Sequence, residues 1–362
     1  MKVRRAVVVV GVACATLGTG GVGNAAAPAG VRCGVTITNS TTLEHDLNCR
    51  ATAPVRISGH GVTLDLGGHA LAGAVYLTGS HQTVRGGSVT SLSISDADNV
   101  DLADLRLTGS LFAGWSAAVR LTRLEVDGGD VGMEKAANVD VVDSLFRNGM
   151  LGLGVVSGVR VERNRFVNSR VILDGDPEWS FEVLIADNLL QRSGIEMGST
   201  DGVVVQRNHI IGANVGVRIG DASDGYQVID NNIVGGGFGI RIGLGSSGGN
   251  LVSGNWLRAN GIAGLLVTGQ PGHGSGLRIT HNLAHANGYH PGGARDAAGR
   301  PIDDGIHIGL PPGDTAGGVV VDHNRTSDNA DRGIDAEPGS VHDGGGNFSE
   351  RDGAGCVGVR CG

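Results

Sequence analysis

Two short markers recur along the second half of this chain with a shared period. The first is glycine, an apolar residue, any residue, then a second apolar residue. It occurs at Gly194-Ile195-Glu196-Met197, Gly216-Val217-Arg218-Ile219, Gly239-Ile240-Arg241-Ile242, Gly264-Leu265-Leu266-Val267, Gly305-Ile306-His307-Ile308 and Gly333-Ile334-Asp335-Ala336. These glycines are 22, 23, 25, 41 and 28 residues apart. The second marker is a short β-branched run ending in asparagine, at Asn164, Asn188, Asn208, Asn231, Asn255, Asn282 and Asn324. Its intervals are 24, 20, 23, 24, 27 and 42. Both periods stretch at the same place, so the two markers belong to one repeating unit.

A unit of about 23 residues holding two or three short alternating strands fits one coil of a parallel β-helix. Val and Ile supply strand residues, while glycine and asparagine supply left-handed corners. The Asn-x4-Asn spacings at 255/260, 282/287 and 324/329 fit corner asparagines stacked along the axis. No leucine lattice of a leucine-rich repeat is present, and a propeller needs a longer, aromatic-rich period. The first half repeats less cleanly: Val62-Thr63-Leu64-Asp65-Leu66, Val75-Tyr76-Leu77 and Val139-Asp140-Val141 alternate, but residues 110–135 are irregular. The expectation is an all-β, single-domain solenoid over residues 28–362, with about a dozen coils at ~4.8 Å each.

Composition narrows the function classes. Of 362 residues, 65 are Gly and only 12 are Phe, Trp or Tyr, so Val, Ile, Leu and Ala must fill the core. The net charge of −8 argues against a general grip on nucleic acid. The only lysines are Lys2 and Lys135, which removes most lysine-dependent chemistry. There is no Gly-rich phosphate loop, Cys-x-x-Cys or Gly-x-Ser-x-Gly.

The N-terminus reads as an export signal over residues 1–27. Lys2, Arg4 and Arg5 precede an apolar stretch from Ala6 to Leu17, and Ala25, Ala26 and Ala27 offer cleavage positions. No later segment is apolar for the ~18 residues a spanning helix needs. The expected mature protein is extracellular, monomeric and not membrane-embedded. Cys33, Cys49, Cys356 and Cys361 remain after the signal. An even count in an exported chain points to disulfides. An elongated solenoid keeps its ends apart, so Cys33–Cys49 and Cys356–Cys361 are the expected pairs. Free thiols are the competing reading.

The segment from Cys33-Gly34 through Cys49 to Val62-Thr63-Leu64-Asp65-Leu66-Gly67-Gly68-His69 resembles the opening of secreted bacterial right-handed parallel β-helix repeat proteins. The tail, Asp343-Gly344-Gly345-Gly346-Asn347 through Cys356 and Cys361, is similar to their ending. The resemblance covers residues 30–362. It implies kinship with the pectin-lyase-like superfamily, which holds polysaccharide lyases, uronan epimerases and glycoside hydrolases. Fold does not fix function.

Strand alternation places the third residue of each Gly-apolar-x-apolar unit outside. Stacking then puts Glu196, Arg218, Arg241, Leu266, His307 and Asp335 in one external row, with Arg56 and Tyr76 continuing it. Arginine binds a carboxylate bidentately, so Arg218, Arg241 and Glu196 are candidate substrate contacts. In the resembling enzymes such a face carries the sugar groove. A solvated surface row is the bland alternative. An imidazole beside a carboxylate is oriented and made more basic, so His307 with Asp335 is a candidate base. The period stretches just before His307, and the insertion at 288–303 brings Tyr289 and His290 as candidate acids.

Asp304 with Asp335 is a candidate carboxylate pair for glycoside hydrolysis. Asp303 and Asp304, adjacent on the chain, point to opposite faces. Ca2+ is the one candidate ion, at Asp303/Asp304, at Asp174, Asp176 and Glu178 beside Trp179, or at Asp221 and Asp224. No cofactor is required by the sequence. Gly272-His273-Gly274 with Asp303-Asp304 superficially resembles polygalacturonase motifs in reversed order, with the Asn-Thr-Asp partner missing.

Three functions follow. The first is a lyase or C5-epimerase on an acidic polysaccharide, with Arg218 and Arg241 neutralising the carboxylate and His307 removing the C5 proton. The second is a non-catalytic solenoid binding a glycan or the cell envelope. The third is a glycoside hydrolase using Asp304 and Asp335. The sequence leaves open whether catalysis occurs.

Overall fold

A computed structural model of the chain describes residues 30–176, 180–220, 222–245, 248–269, 276–310 and 318–362. The export segment, Glu178, Trp179, Asp221 and the Gly272-His273-Gly274 run lie outside the described residues. Those described form an all-β parallel solenoid of about 14 turns, without helix. Each strand pairs in parallel with its equivalent one coil further on.

Alternation within each strand builds the core. In Val215–Ile219, Val217 and Ile219 point inward while Arg218 is exposed. Ile195, Val217, Ile240, Leu265, Ile306 and Ile334 follow one another in register along the axis, all fully buried. Each position thus packs on a like side chain above and below, which suits β-branched and leucine residues.

The repeated asparagines are buried, and they satisfy backbone groups that the corners would orphan. Asn188 Oδ1 accepts from the Asn164 backbone N–H at 2.9 Å, and Asn188 Nδ2 donates to Val161 O at 2.9 Å. The pattern continues through Asn208, Asn231, Asn255, Asn282 and Asn324 to Asn347. A second ladder runs from Asn260 through Asn287 and Asn329 and ends on Asp352.

The same corner carries charge on its exposed side, at the residue just before each ladder position. Asp104, Arg123, Asp143, Arg163, Asp187 and Arg207 all adopt positive φ, near 52–57°. Arg123 pairs with Asp104, Arg163 with Asp143, and Arg207 with Asp187, at 2.6–2.8 Å. Each pair is exposed and screened by solvent, so it adds little stability and mainly avoids like-charge stacking.

Disulfides close both ends, Cys33–Cys49 and Cys356–Cys361, as the spacing argument expected. Two features differ from the sequence reading. There are about 14 turns rather than a dozen. Residues 110–135 are regular coil, with Phe112 and Gly132 in register 20 residues apart. N-terminal coils are shorter, and several of their left-handed corners fall on Trp115, Ala118, Arg123 and Lys135 rather than Gly or Asn. That alone does not hide the repeat, because in the later coils too the left-handed residue is not the marker but the residue before it, as at Arg163, Asp187, Arg207 and His281. This corrects the expectation of left-handed corners at the marker asparagines. The markers are missing because Leu124 and Ser144 stand at the ladder position, and Ser110, Asp130, Met150 and Arg170 at the glycine position.

Candidate functional site

The external row forms as the alternation requires. Glu196, Arg218, Arg241, Leu266, His307 and Asp335 are consecutive register partners. Towards the N-terminus the same row continues through Ile172, Gly152, Gly132, Phe112, Ser93 and Tyr76 to Arg56. Neighbours along it are ~4.8 Å apart.

Its middle is open. Arg218 and Arg241 are exposed. Neither has a carboxylate within ion-pair range among the described residues, and the Arg241 guanidinium sits 5.7 Å from the Phe238 ring centroid. Glu196 is engaged sideways with Arg170 at 3.5 Å. Beside the row, Gly198, Gly220 and Gly243 carry no side chain, so backbone is accessible next to the guanidiniums. A shallow groove of about 250 Å³ lies here, lined by Asp174, Glu196, Gly198, Arg218 and Gly220.

The C-terminal end of the row is covered, which corrects the expectation that Leu266, His307 and Asp335 face solvent. The inserted segment 288–303 folds across them. Ile302 packs on Ala263 and Leu266, with Ala294 and Phe238 alongside. Leu266 is buried, as are His307 and Asp335. His290 anchors the start of the segment through its backbone N–H to Gly261 O at 2.7 Å.

Beneath the segment lies a charged cluster. His307 Nδ1 is 2.7 Å from Asp304 Oδ2 and 3.6 Å from Asp335 Oδ2. His307 Nε2 is 3.3 Å from Asp296 Oδ2. Asp304 is thus its nearer partner, and Asp335 is held mainly by cations: Arg300 and Arg332 each approach its Oδ1 at 3.3 Å. Arg300 also binds Asp296 at 2.8 Å and donates to Ile308 O. Both imidazole nitrogens face carboxylate oxygens, so in this arrangement neither can take a proton from a substrate.

Burial pushes the Asp304 carboxyl up, against the hydrogen bond from His307. Burial also raises Asp303, assisted by the nearby Asp331 charge. For Asp296, burial acts upward but is outweighed by hydrogen bonds from the Arg300 backbone and side chain and from His307, which hold it low.

The other expected residues are distributed differently. The Tyr289 hydroxyl donates to Asp328 O at 2.8 Å, and both Tyr289 and His290 are exposed. No described contact joins either of them to His307. Asp304, His307 and Asp335 each offer a ligand atom within 4.8 Å of the others, as do Asp303, Asp304 and Asp331. In the first group Arg300 and Arg332 already supply positive charge to Asp335, so the cluster is balanced by protein groups. Sequence reasoning missed Asp296, Arg300 and Arg332 as members. Asp296 stood out only as a charged residue of the insertion, and no spacing pointed to Arg300 or Arg332.

A parallel solenoid with an arginine-bearing external row and stapled ends defines the class. The chain belongs to the family described as right handed beta helix region, whose model matches residues 30–349. No curated protein matches it. Among solved structures it is similar to the Dettilon tailspike protein, at 10% identity and TM-score 0.43, covering 75% of this chain and 60% of that one. It spans about three-fifths of that tailspike's length. It is also similar to a periplasmic alginate epimerase mutant, at 13% identity and TM-score 0.45, covering 85% and 76%. A third is the A-module of a mannuronan C-5 epimerase from Azotobacter vinelandii, at 13% identity and TM-score 0.42, covering 90% and 91%. At these identities the likeness is one of fold.

Proposed function

We propose that the protein binds an extracellular acidic polysaccharide along the open part of the row, with Arg218 and Arg241 holding its carboxylates. The supporting observation is that pair itself: two exposed guanidiniums in register on successive coils, without a carboxylate partner among the described residues. Bare, they repel one another by roughly 1 kcal/mol at aqueous screening. A polyanion lying along the axis removes that repulsion and gains bidentate hydrogen bonds. The open glycine lane lets such a chain approach the backbone. Two disulfides favour an oxidising, extracytoplasmic setting. Co-sedimentation or affinity electrophoresis with uronans and with neutral polymers of the same length tests it. Retention of the protein by uronans alone is the expected result. Equal behaviour with both, or none, contradicts it.

A lyase or C5-epimerase activity is the second reading, favoured by a histidine flanked by Asp304 and Asp335 directly along from the arginines. His307 would be the base, and Tyr289 or His290 the acid. It requires the part of the segment that carries Asp296, Arg300 and Ile302 to lift off the fully buried His307, while Tyr289 and His290 stay anchored to Asp328 O and Gly261 O. Unsaturated product, detected by ultraviolet absorbance and mass spectrometry, or inverted C5 stereochemistry supports it. Reducing ends without unsaturation favour hydrolysis through Asp304 and Asp335 instead.

A further inference from the structure

The row carries an aromatic surface five coils from Arg218. Phe112 leads to Gly132, Gly152, Ile172, Glu196 and then Arg218 by successive register partners. That separation is about 24 Å along the axis. Phe112 stands in the row, and Trp115 lies three residues on, just past the end of the same strand. Phe112 is 49% exposed and Trp115 63%.

The Phe112 ring has a definite posture. A Cβ placed on Gly114 would lie 2.8 Å from Phe112 Cε1, and one on Gly132 would lie 3.5 Å from Cδ2. The ring therefore lies down over both glycines, within its own strand and on the next coil, with half its surface still open. Neither glycine has a positive φ, so backbone conformation does not demand glycine at either place. At Gly114 a side chain would push the ring off this seat, whereas at Gly132 the ring is in ordinary contact distance. Trp115 borders a surface concavity of about 550 Å³, lined also by Lys135, Ala136, Val155, Val156 and Asp176. The Lys135 ammonium sits 4.2 Å from the Trp115 ring centroid, with no carboxylate in ion-pair range among the described residues.

Two exposed aromatic side chains three residues apart offer apolar faces that a flat apolar ligand surface can cover. The chemistry beside them selects the occupant. A pyranose ring has one apolar C–H face matching a flat arene, and the Lys135 ammonium complements a carboxylate on that ring. We infer that Phe112 and Trp115, with Lys135, form a second subsite that stacks an acidic pyranose residue of the polymer held by Arg218 and Arg241. This inference rests on the glycan-binding reading above. One polymer then spans the row, stacked at its N-terminal part and ion-paired at its middle.

The test titrates soluble uronan oligosaccharides, long and short, into the wild-type protein, Phe112→Ala, Phe112→Tyr, Trp115→Phe and the double variant Arg218→Ala/Arg241→Ala. Calorimetry reports affinity and indole fluorescence reports the Trp115 environment. Stacking of the expected strength makes Phe112→Ala about tenfold weaker for long oligomers, while Phe112→Tyr keeps wild-type affinity. The ligand-induced fluorescence change should vanish in Trp115→Phe. Loss in the arginine variant with wild-type affinity in Phe112→Ala overturns the stacking subsite and leaves the cationic reading intact. Loss in Phe112→Ala with none in the arginine variant supports the subsite and overturns the cationic one. No binding by folded wild-type protein overturns both. Circular dichroism confirms that each variant is folded.

Discussion

Asp296 of the inserted segment and His307 of the strand beneath it meet at 3.3 Å, carboxylate to Nε2, where neither side chain has appreciable exposure. This contact and the Arg300–Asp335 pair tie the segment to the row. The C-terminal part of the row is thereby closed while its middle stays open.

Asp296→Asn should loosen that tie. It removes the charge that both Arg300 and His307 address, leaving buried groups underpaired. A stability loss of about 1–3 kcal/mol is expected, with faster amide hydrogen exchange confined to residues 288–303. Exchange unchanged in that segment would show that Ile302 packing alone holds it down.

The same carboxyl sets a pH dependence. Asp296 is held below its ordinary value, so its contribution to stability is complete above about pH 4 and lost as pH falls through its lower folded value. Asp304, raised by burial, has the opposite sign: it favours the folded state once protonated. The difference in melting temperature between wild type and Asp296→Asn should be largest near neutrality and shrink below pH 4. A difference constant down to pH 2 would contradict the assignment.

Asn231 is fully paired inside its ladder, accepting from the Asn208 backbone and side chain and donating to Val205 O and Asn255 Oδ1. Asn231→Leu strands several buried groups at once. Each costs about 1–3 kcal/mol, so a marked fall in the denaturant midpoint is expected. A loss below about 1 kcal/mol would mean that water takes the place of the amide.

The two disulfides should differ in weight. Cys33–Cys49 closes a separation of 16 residues and Cys356–Cys361 one of 5. Loop-closure entropy assigns about 3 kcal/mol to the longer and about 2 to the shorter. Paired Cys→Ser variants, compared by denaturant unfolding, should preserve that order. The reverse order would point to end-capping contacts rather than loop entropy.

Much of the row was legible before the structure because strand alternation has a period of two and the glycine marker fixes its phase. Arg218 opposite Arg241 and His307 opposite Asp335 follow from counting alone. What counting cannot supply is the direction an insertion takes. Segment 288–303 turns back over the row, so His307 is buried against Asp304 instead of standing open beside Asp335. The N-terminal half was opaque for another reason. At the marker positions its coils carry Leu124, Asp130 and Met150 in place of Asn or Gly. Ser144 stands where later coils have Asn, accepting from Leu124 N–H and capped in turn by Asn164. Without the marker residues, the coil bearing Phe112 could not be phased.

Paired guanidiniums reading a polyanion are the centre of this account, and salt-resolved binding tests them most directly. Affinity for a uronan oligosaccharide should fall with rising salt in the wild-type protein. In Arg218→Ala/Arg241→Ala it should be at least about tenfold weaker at low salt, with a shallower salt dependence. Wild-type affinity and salt slope in that double variant would contradict the account.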